Sequence, residues 1–497
     1  MRILISRWAH RNTGVLLAGF ALLVSAAIGV SCGGSTKVMG TLPGTVVVSI
    51  SDPPSCMPPN GTFTHVFVTV RSVQAHIDPN AGDDSPGWQE LAPQLANQPM
   101  QIDLFSAPQT TCVLAQLGSA SLPAGSYQQI RLLLVSNNPA AGDATPPNNA
   151  CAGNGFNCVV LTDKSIHELL LSSQANTGLK IPPGQIVGGP LQVMAGQSVD
   201  LNIDFNACAS IVHEGNGAYR LKPTLTAGQV SANNSGIGGQ VVDSFTKVPI
   251  AGNVLVAIEQ PDNTGVDRIL MQTAADANGN FRFCPLPTGT FDIVIDAVST
   301  TNVPYNATAV LNVPNGTNLK TIPLIAETGA TAPAVLQGFV TATKGASTAT
   351  ADVTLAALQT VALSGSASRQ ITVPLESINA VGATPAVDST GTISVEASTN
   401  CPVGAPVNSN CAQYTLVVPA SNPNVGIFSS SGVSYTGPAT GDVPFTVDAQ
   451  AFVPMSGGTK DCVPSEIPTS KDDGGLALKA IAATTTKVAR IDFSGCS

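Results

Sequence analysis

Cysteine is the residue type with the most chemistry to offer in this chain. Eleven occur among 497 residues: Cys32, Cys56, Cys112, Cys151, Cys158, Cys208, Cys284, Cys401, Cys411, Cys462 and Cys496. A thiol can ligate a metal, pair in a disulfide or carry a covalent modification. Spacing argues against metal, since no CxxC or HxxxH pattern is present and the histidines His10, His65, His76, His167 and His213 are scattered. Setting Cys32 aside leaves an even ten, which in an exported chain favours disulfides. Cys151 with Cys158 would close a loop rich in Asn and Gly, Cys401 with Cys411 a second loop, and Cys462 with Cys496 would staple the carboxyl terminus. Cys56, Cys112, Cys208 and Cys284 cannot be matched from sequence.

Other reactive constellations are sparse. His76-Ile77-Asp78 is the nearest approach to a paired site, and it reads as a strand end running into Pro79. Asp276-Ala277-Asn278-Gly279-Asn280 imitates the first half of a calcium loop. The acidic residue due about six positions beyond the glycine is replaced by Pro285, so a hairpin turn is expected. There is no GxSxG elbow, and the glycine-rich stretch at Gly236 opens a strand rather than a phosphate-cradling helix. Paired carboxylates are a spatial matter that sequence does not reveal. No catalytic, cofactor-binding or metal residue is assigned.

The elements that position these cysteines start with a leader. Arg2, Arg7 and Arg11 precede an apolar run from Val15 to Val30, and Ser31-Cys32-Gly33 closes it with small residues, the three-part pattern of an export signal. Ile28-Gly29-Val30-Ser31-Cys32 resembles the small-residue box of bacterial lipoprotein signals, although Gly29 stands where Leu is usual. That resemblance implies diacylation of Cys32 after cleavage, with residues 33–43 as a tether; the alternative is ordinary cleavage after Ser25-Ala26-Ala27, which would leave an unmodified start at Ile28. Gly33 rather than Asp after the cysteine implies the outer membrane. No later apolar run reaches the roughly eighteen residues of a membrane-spanning helix.

Composition narrows the rest. Hydrophobic residues make up 43% but aromatics only 4%, with Val, Ala, Leu and Ile interleaved with Thr and Ser, a mixture suited to half-buried strands. Charged residues are 10% of the chain against a usual quarter or so, and the net charge is −10, which disfavours nucleic acid as a partner. The length suggests about three domains.

Residues 44–230 read as one β domain. Alternation predicts strands at 44–51, 63–77, 100–104, 126–135, 191–193, 199–205 and 219–225. Ile50-Ser51-Asp52-Pro53, Trp88-Gln89-Glu90-Leu91, Ile102-Asp103-Leu104, the run from Leu122 to Leu132, Asp200 to Phe205, and Leu221-Lys222-Pro223 together resemble the bacterial lipoprotein domain of unknown function 4382. The resemblance carries no known chemistry. Arg131, inside one of these strands, reads as a residue whose head reaches solvent, and Asp103 and Asp204 are candidate partners for it near the core. Residues 137–157 read as a surface loop.

Residues 237–326 carry Gly239 to Asp243, Thr246 to Val254, Thr273 to Phe281 and Leu286 to Ile293, with tight turns at each Gly. These spacings resemble the carboxypeptidase regulatory-like, or prealbumin-like, β-sandwich, which is a non-catalytic companion in its enzymes. Residues 329–497 alternate again, at 335–343, 351–363, 368–373, 392–397, 413–418, 442–453 and 476–493, and suggest an immunoglobulin-like β region.

The chain as a whole is thus expected to be all-β, a leader of residues 1–32 followed by about three antiparallel sandwich-like domains in tandem. The functional expectation is a non-catalytic, lipid-anchored protein of the cell envelope, without cofactor, whose partners are a membrane through its anchor and a glycan, envelope polymer or protein. The alternatives are an envelope-associated carbohydrate-active or other hydrolytic enzyme with an accessory prealbumin-like domain, or a carrier of a small apolar ligand.

Overall fold

A computed structural model of the chain describes residues 42–52, 62–106, 115–171, 178–181, 183–187, 189–214, 217–222, 225–230, 236–283, 286, 289–363, 368–375, 392–399, 401–455 and 458–497. The leader, Cys32, Cys56, Cys112 and Cys284 lie outside the described residues. The described chain is nearly all β. Among these residues the helical pieces are the single turn Ala207–Ser210 and the short 3-10 turns Pro93–Ala96 and Pro183–Gln185.

The first region is a two-sheet sandwich. In Gly44–Ser51 the alternate residues Val46, Val48 and Ile50 are fully buried, as period-two patterning demands. This strand sits inside a five-stranded sheet between Ser198–Phe205 and Ala115–Leu122. Facing it is a nine-stranded sheet built on the long strand Phe63–His76, whose Val66, Val68 and Val70 meet the first sheet's side chains in one core. The expected antiparallel ladders are accompanied by parallel ones, such as Gly44–Ser51 beside Ser198–Phe205.

In the middle region a three-stranded sheet centred on Ile237–Asp243 packs on a six-stranded sheet containing Gly252–Pro261, Asp267–Ala274, Thr290–Ser299 and Thr308–Pro314. Phe281, Phe283 and Ile322 of the first sheet meet Val256, Ile258, Ile293 and Ile295 of the second. The last two strands of the six-stranded sheet come from far along the chain. Asn424–Ser429 pairs in parallel with Thr308–Pro314, and Gly432–Tyr435 continues the edge. This hairpin belongs by sequence to the third region and by hydrogen bonding to the middle one.

The third region pairs a five-stranded sheet on Ala334–Lys344 with another on Ala351–Ala362, around Leu336, Val340, Tyr414, Val353, Leu355 and Val447. One expected strand is much reduced. Residues 476–493 contribute only Thr485–Lys487 and Ile491–Phe493, because their alternation rests largely on Ala, which marks neither face strongly.

The strands Gly252–Pro261 and Thr290–Ser299 are buried on both faces. One face looks into the middle region's own core. The other is covered by the third region, where Val294, Ala309 and Leu311 pack on Val361, Ile371 and Val425. Burial on both faces explains why these strands read as near-continuous apolar runs. It also means that any charged residue in them is buried at a junction between regions.

Candidate functional site

Three of the expected cysteine pairs are bonded. Cys151 and Cys158 are joined across seven positions, Cys401 and Cys411 across ten, and Cys462 and Cys496 across thirty-four. Cys208 is also disulfide-bonded. The loop ahead of Cys158 is held by more than its disulfide, since Asn137 Oδ1 accepts the backbone N–H groups of Phe156 and Asn157 at 3.0 and 2.9 Å.

The remaining candidates occupy structural positions. His76 is buried, with Nε2 3.0 Å from the Pro86 carbonyl and Nδ1 accepting the Asp78 N–H at 2.9 Å. Asp276 Oδ1 accepts the N–H groups of Asn278 and Asn280, both at 2.8 Å, which closes a hairpin turn. Gly279 in that turn has a φ of 75°, and a Cβ there would lie 2.2 Å from the Val241 carbonyl oxygen, so only glycine fits. Among the described residues, no group of three or more His, Cys, Asp or Glu is arranged to hold a metal ion.

Arg131 departs from expectation. Its head does not reach solvent: the residue is 8% exposed, donates to Gln74 Oε1 at 2.7 Å and to the Asp83 carbonyl at 2.9 Å, and lies 4.0 Å above the Trp88 ring. Alternation in Gln129–Leu134 failed as a guide because all six of its residues are buried.

A cleft of about 380 Å³ opens between the middle and third regions, beside Asn306, Glu327, Ser421, Asn422 and Thr440. Glu327 accepts the Ala420 N–H at 2.7 Å and the Ser421 hydroxyl at 2.6 Å. Burial nonetheless raises its carboxyl above the usual range. The cleft is open to solvent, so it differs from the enclosed apolar cavity that a carrier would need.

The most specific chemistry lies where regions meet, and it is built on three arginines. In Tyr219–Leu221, Tyr219 and Leu221 point into the first region's core, so strand alternation turns Arg220 outward. Across the junction Asp352, on Ala351–Ala362, receives both ends of the Arg220 guanidinium at 2.9 and 2.7 Å, while Arg220 Nε donates to Glu214 at 2.6 Å. Two residues on, Lys222 Nζ donates to Thr354 Oγ1 at 2.6 Å and sits 4.7 Å above the Phe452 ring. Arg220 and, just past the strand's end, Lys222 thus meet Asp352 and Thr354, two residues apart on Ala351–Ala362. Burial opposes the Arg220 charge, but its bonds to Asp352 and Glu214 more than offset that and hold it ionised.

The middle and third regions meet through the other two. Arg268, on Asp267–Ala274, reaches Asp262 at 2.9 Å, Asp448 at 2.5 Å and Glu466 at 2.8 Å. Arg369, on Ser368–Val373, contacts the Asp292 carboxylate and stands 3.7 Å from Asp267. On the same strand Thr372 donates its N–H to Glu259 Oε2 at 3.2 Å and its hydroxyl to the Asp267 carbonyl at 2.7 Å. Glu259 and Asp267 are fully buried, and Asp292 nearly so.

Burial pushes the Asp267 carboxyl up to about 7, with Asp292 adding to the rise. Burial likewise lifts Glu259 well above the carboxylate range, against the pull of the Thr372 N–H. Nothing in local sequence marks these residues. The one available signal was scarcity: in a chain with 10% charge, a charged residue inside an apolar strand run has to be accounted for.

Comparison with known proteins bears on the first region. The family model described as Domain of unknown function (DUF4382) matches residues 43–223. No curated protein matches the chain. Similar solved structures include the Bacillus anthracis TIE protein, at 9% identity and a TM-score of 0.15, covering 92% of this chain and 51% of that one. This chain therefore spans about half the length of that protein. The shaft pilin spaA of Lactobacillus rhamnosus GG matches at 9% identity and a TM-score of 0.17, covering 58% of this chain and 98% of the pilin. The streptococcal ancillary pilin matches at 9% identity and a TM-score of 0.16, covering 80% and 96%. At such scores no role passes from those proteins to this one.

Proposed function

We propose that this chain is an exported, non-catalytic protein of the cell surface, held by a lipid on Cys32, that serves as a stiff β scaffold and presents its loops to a glycan, an envelope polymer or a partner protein. The observation that carries the proposal is the placement of Arg220, Arg268 and Arg369, each of which spends its guanidinium on carboxylates across a region boundary. A buried ion pair contributes little net stability compared with an apolar contact of the same shape. What it supplies is one permitted register, because any sliding or hinging leaves a buried charge without its partner. Regions meant to flex independently gain nothing from such contacts. Regions meant to hold a fixed orientation at a distance from a membrane do.

The two-sheet core of residues 237–326 supports reading them as a regulatory-like module with no chemistry of its own. Loops closed by Cys151–Cys158 and Cys401–Cys411 are the candidate presenting surfaces, and Val403 and Val407 in the second are fully or largely exposed.

Hydrogen exchange on the exported chain at pH 5.5 tests the scaffold reading. Amides of Tyr219–Leu221 and Ser368–Val373 should exchange only with the cores of their regions. Rapid exchange at these strands, with the region cores still protected, would show independent domains on hinges and end the proposal.

A further inference from the structure

The junction between the middle and third regions holds more acid than its cations can neutralise. Facing one another there are Glu259 on Gly252–Pro261, Asp262 in the turn that follows, Asp267 and Arg268 on Asp267–Ala274, Asp292 on Thr290–Ser299, Arg369 on Ser368–Val373, Asp448 on Thr446–Met455 and Glu466 on Gly458–Thr469. Arg268 is fully engaged by Asp262, Asp448 and Glu466. That leaves Arg369 as the cation in contact with Asp292 and Asp267, while Glu259 stands directly opposite Asp292 in the strand register. Like charges so placed repel, and in a buried sheet there is no water to screen them.

Several unpartnered carboxylate atoms lie in this junction. Glu259 Oε1 and both carboxylate oxygens of Asp267 are buried without a hydrogen-bond donor. One guanidinium can neutralise one carboxylate. The closed junction therefore has room for the charge of Asp292 but not for the added charges of Glu259 and Asp267.

From this charge count and register we infer that the junction is a proton-operated latch, closed while Glu259 and Asp267 carry protons and loosened when they ionise. The inference rests on the scaffold reading above and deepens it, by making the stiffness of one junction conditional on pH. Both carboxyls are raised by burial, Asp267 to about 7. A carboxyl raised in the closed form favours closure fully below its value in the open form, and the advantage disappears as pH climbs through the closed-form value. The window for Asp267 thus runs from about 4 to about 7. The latch tightens on the acid side and slackens on the alkaline side.

The test is hydrogen exchange on the full exported chain at pH 5.5 and 8.5, corrected for the intrinsic pH dependence of exchange. Its main reporter is the Thr372 amide, whose acceptor is Glu259, and its internal control is Asn410–Val418 in the other sheet of the third region. Opening at Ser368–Val373 should rise at least about tenfold between the two pH values, one carboxyl unit being a tenfold change, with the control unchanged. In a variant carrying Asp267→Asn and Glu259→Gln, which keeps shape but cannot ionise, the rise should fall below about threefold. If that variant does not fold, wild type decides: a rise confined to the junction supports the latch. A flat response, or an equal rise in the control, overturns it. Slow exchange at both pH values would remove the latch and leave the scaffold standing, whereas fast exchange already at pH 5.5 would remove the scaffold itself.

Discussion

Replacing Arg220 with Met tests the junction between the first and third regions at its most buried pair. Asp352 is fully buried, and the Arg220 side chain is 14% exposed, so solvent can do little to screen what the substitution leaves behind. Asp352 loses two charge-assisted bonds and Glu214 loses one. Removing one member of such a pair strands a buried carboxylate, which costs about 3–5 kcal/mol. Most of that is the penalty of the orphaned charge rather than the worth of the pair, so the partner substitution separates the two. Asp352→Leu in the Arg220→Met background should recover at least half of the loss, giving a coupling energy of about 2 kcal/mol or more. Urea unfolding of the four proteins of this cycle supplies the numbers. A loss below about 1 kcal/mol for Arg220→Met, the value of an exposed pair, would refute the claim that this ion pair fixes the registry of the two regions.

Two other perturbations have definite outcomes. Opening the Cys462–Cys496 bond by paired Ser substitutions should cost about 4 kcal/mol on the chain-entropy scale, against about 2–3 kcal/mol for Cys151–Cys158 or Cys401–Cys411, because its loop of thirty-four positions is the longest of the three; urea midpoints with equal losses would contradict the ranking. Cys32→Ser should move the protein from the membrane fraction to the soluble one, and mass spectrometry of the native amino-terminal peptide should find acyl chains on Cys32, whereas an unmodified start at Ile28 would remove the anchor.

Much of the fold was legible because its cause is local. Val46, Val48 and Ile50 in Gly44–Ser51, or Val66, Val68 and Val70 in the next strand, announce a buried face through alternation alone. The loops closed by Cys151–Cys158 and Cys401–Cys411 were readable for the same reason, since seven and ten positions leave few other partners within reach. The candidate site was not legible. Arg131 looked like a surface strand residue because sequence does not say that both faces of its strand are covered. Arg220, Arg268 and Arg369 look alike in sequence, and their partners lie 132, 180 and 77 positions away.

The sequence by itself determined that this is an all-β chain of short strands and tight turns, sparing in charge and stapled by disulfides, because strand period, turn residues and cysteine spacing act over a few residues. Only the tertiary structure decided that Asn424–Ser429 pairs with Thr308–Pro314, and that Asp267 and Asp292 share a single arginine with Glu259 standing opposite Asp292. Strand partnership and charge pairing are set by which surfaces are buried against each other, and that is a property of the packed chain rather than of any stretch of it.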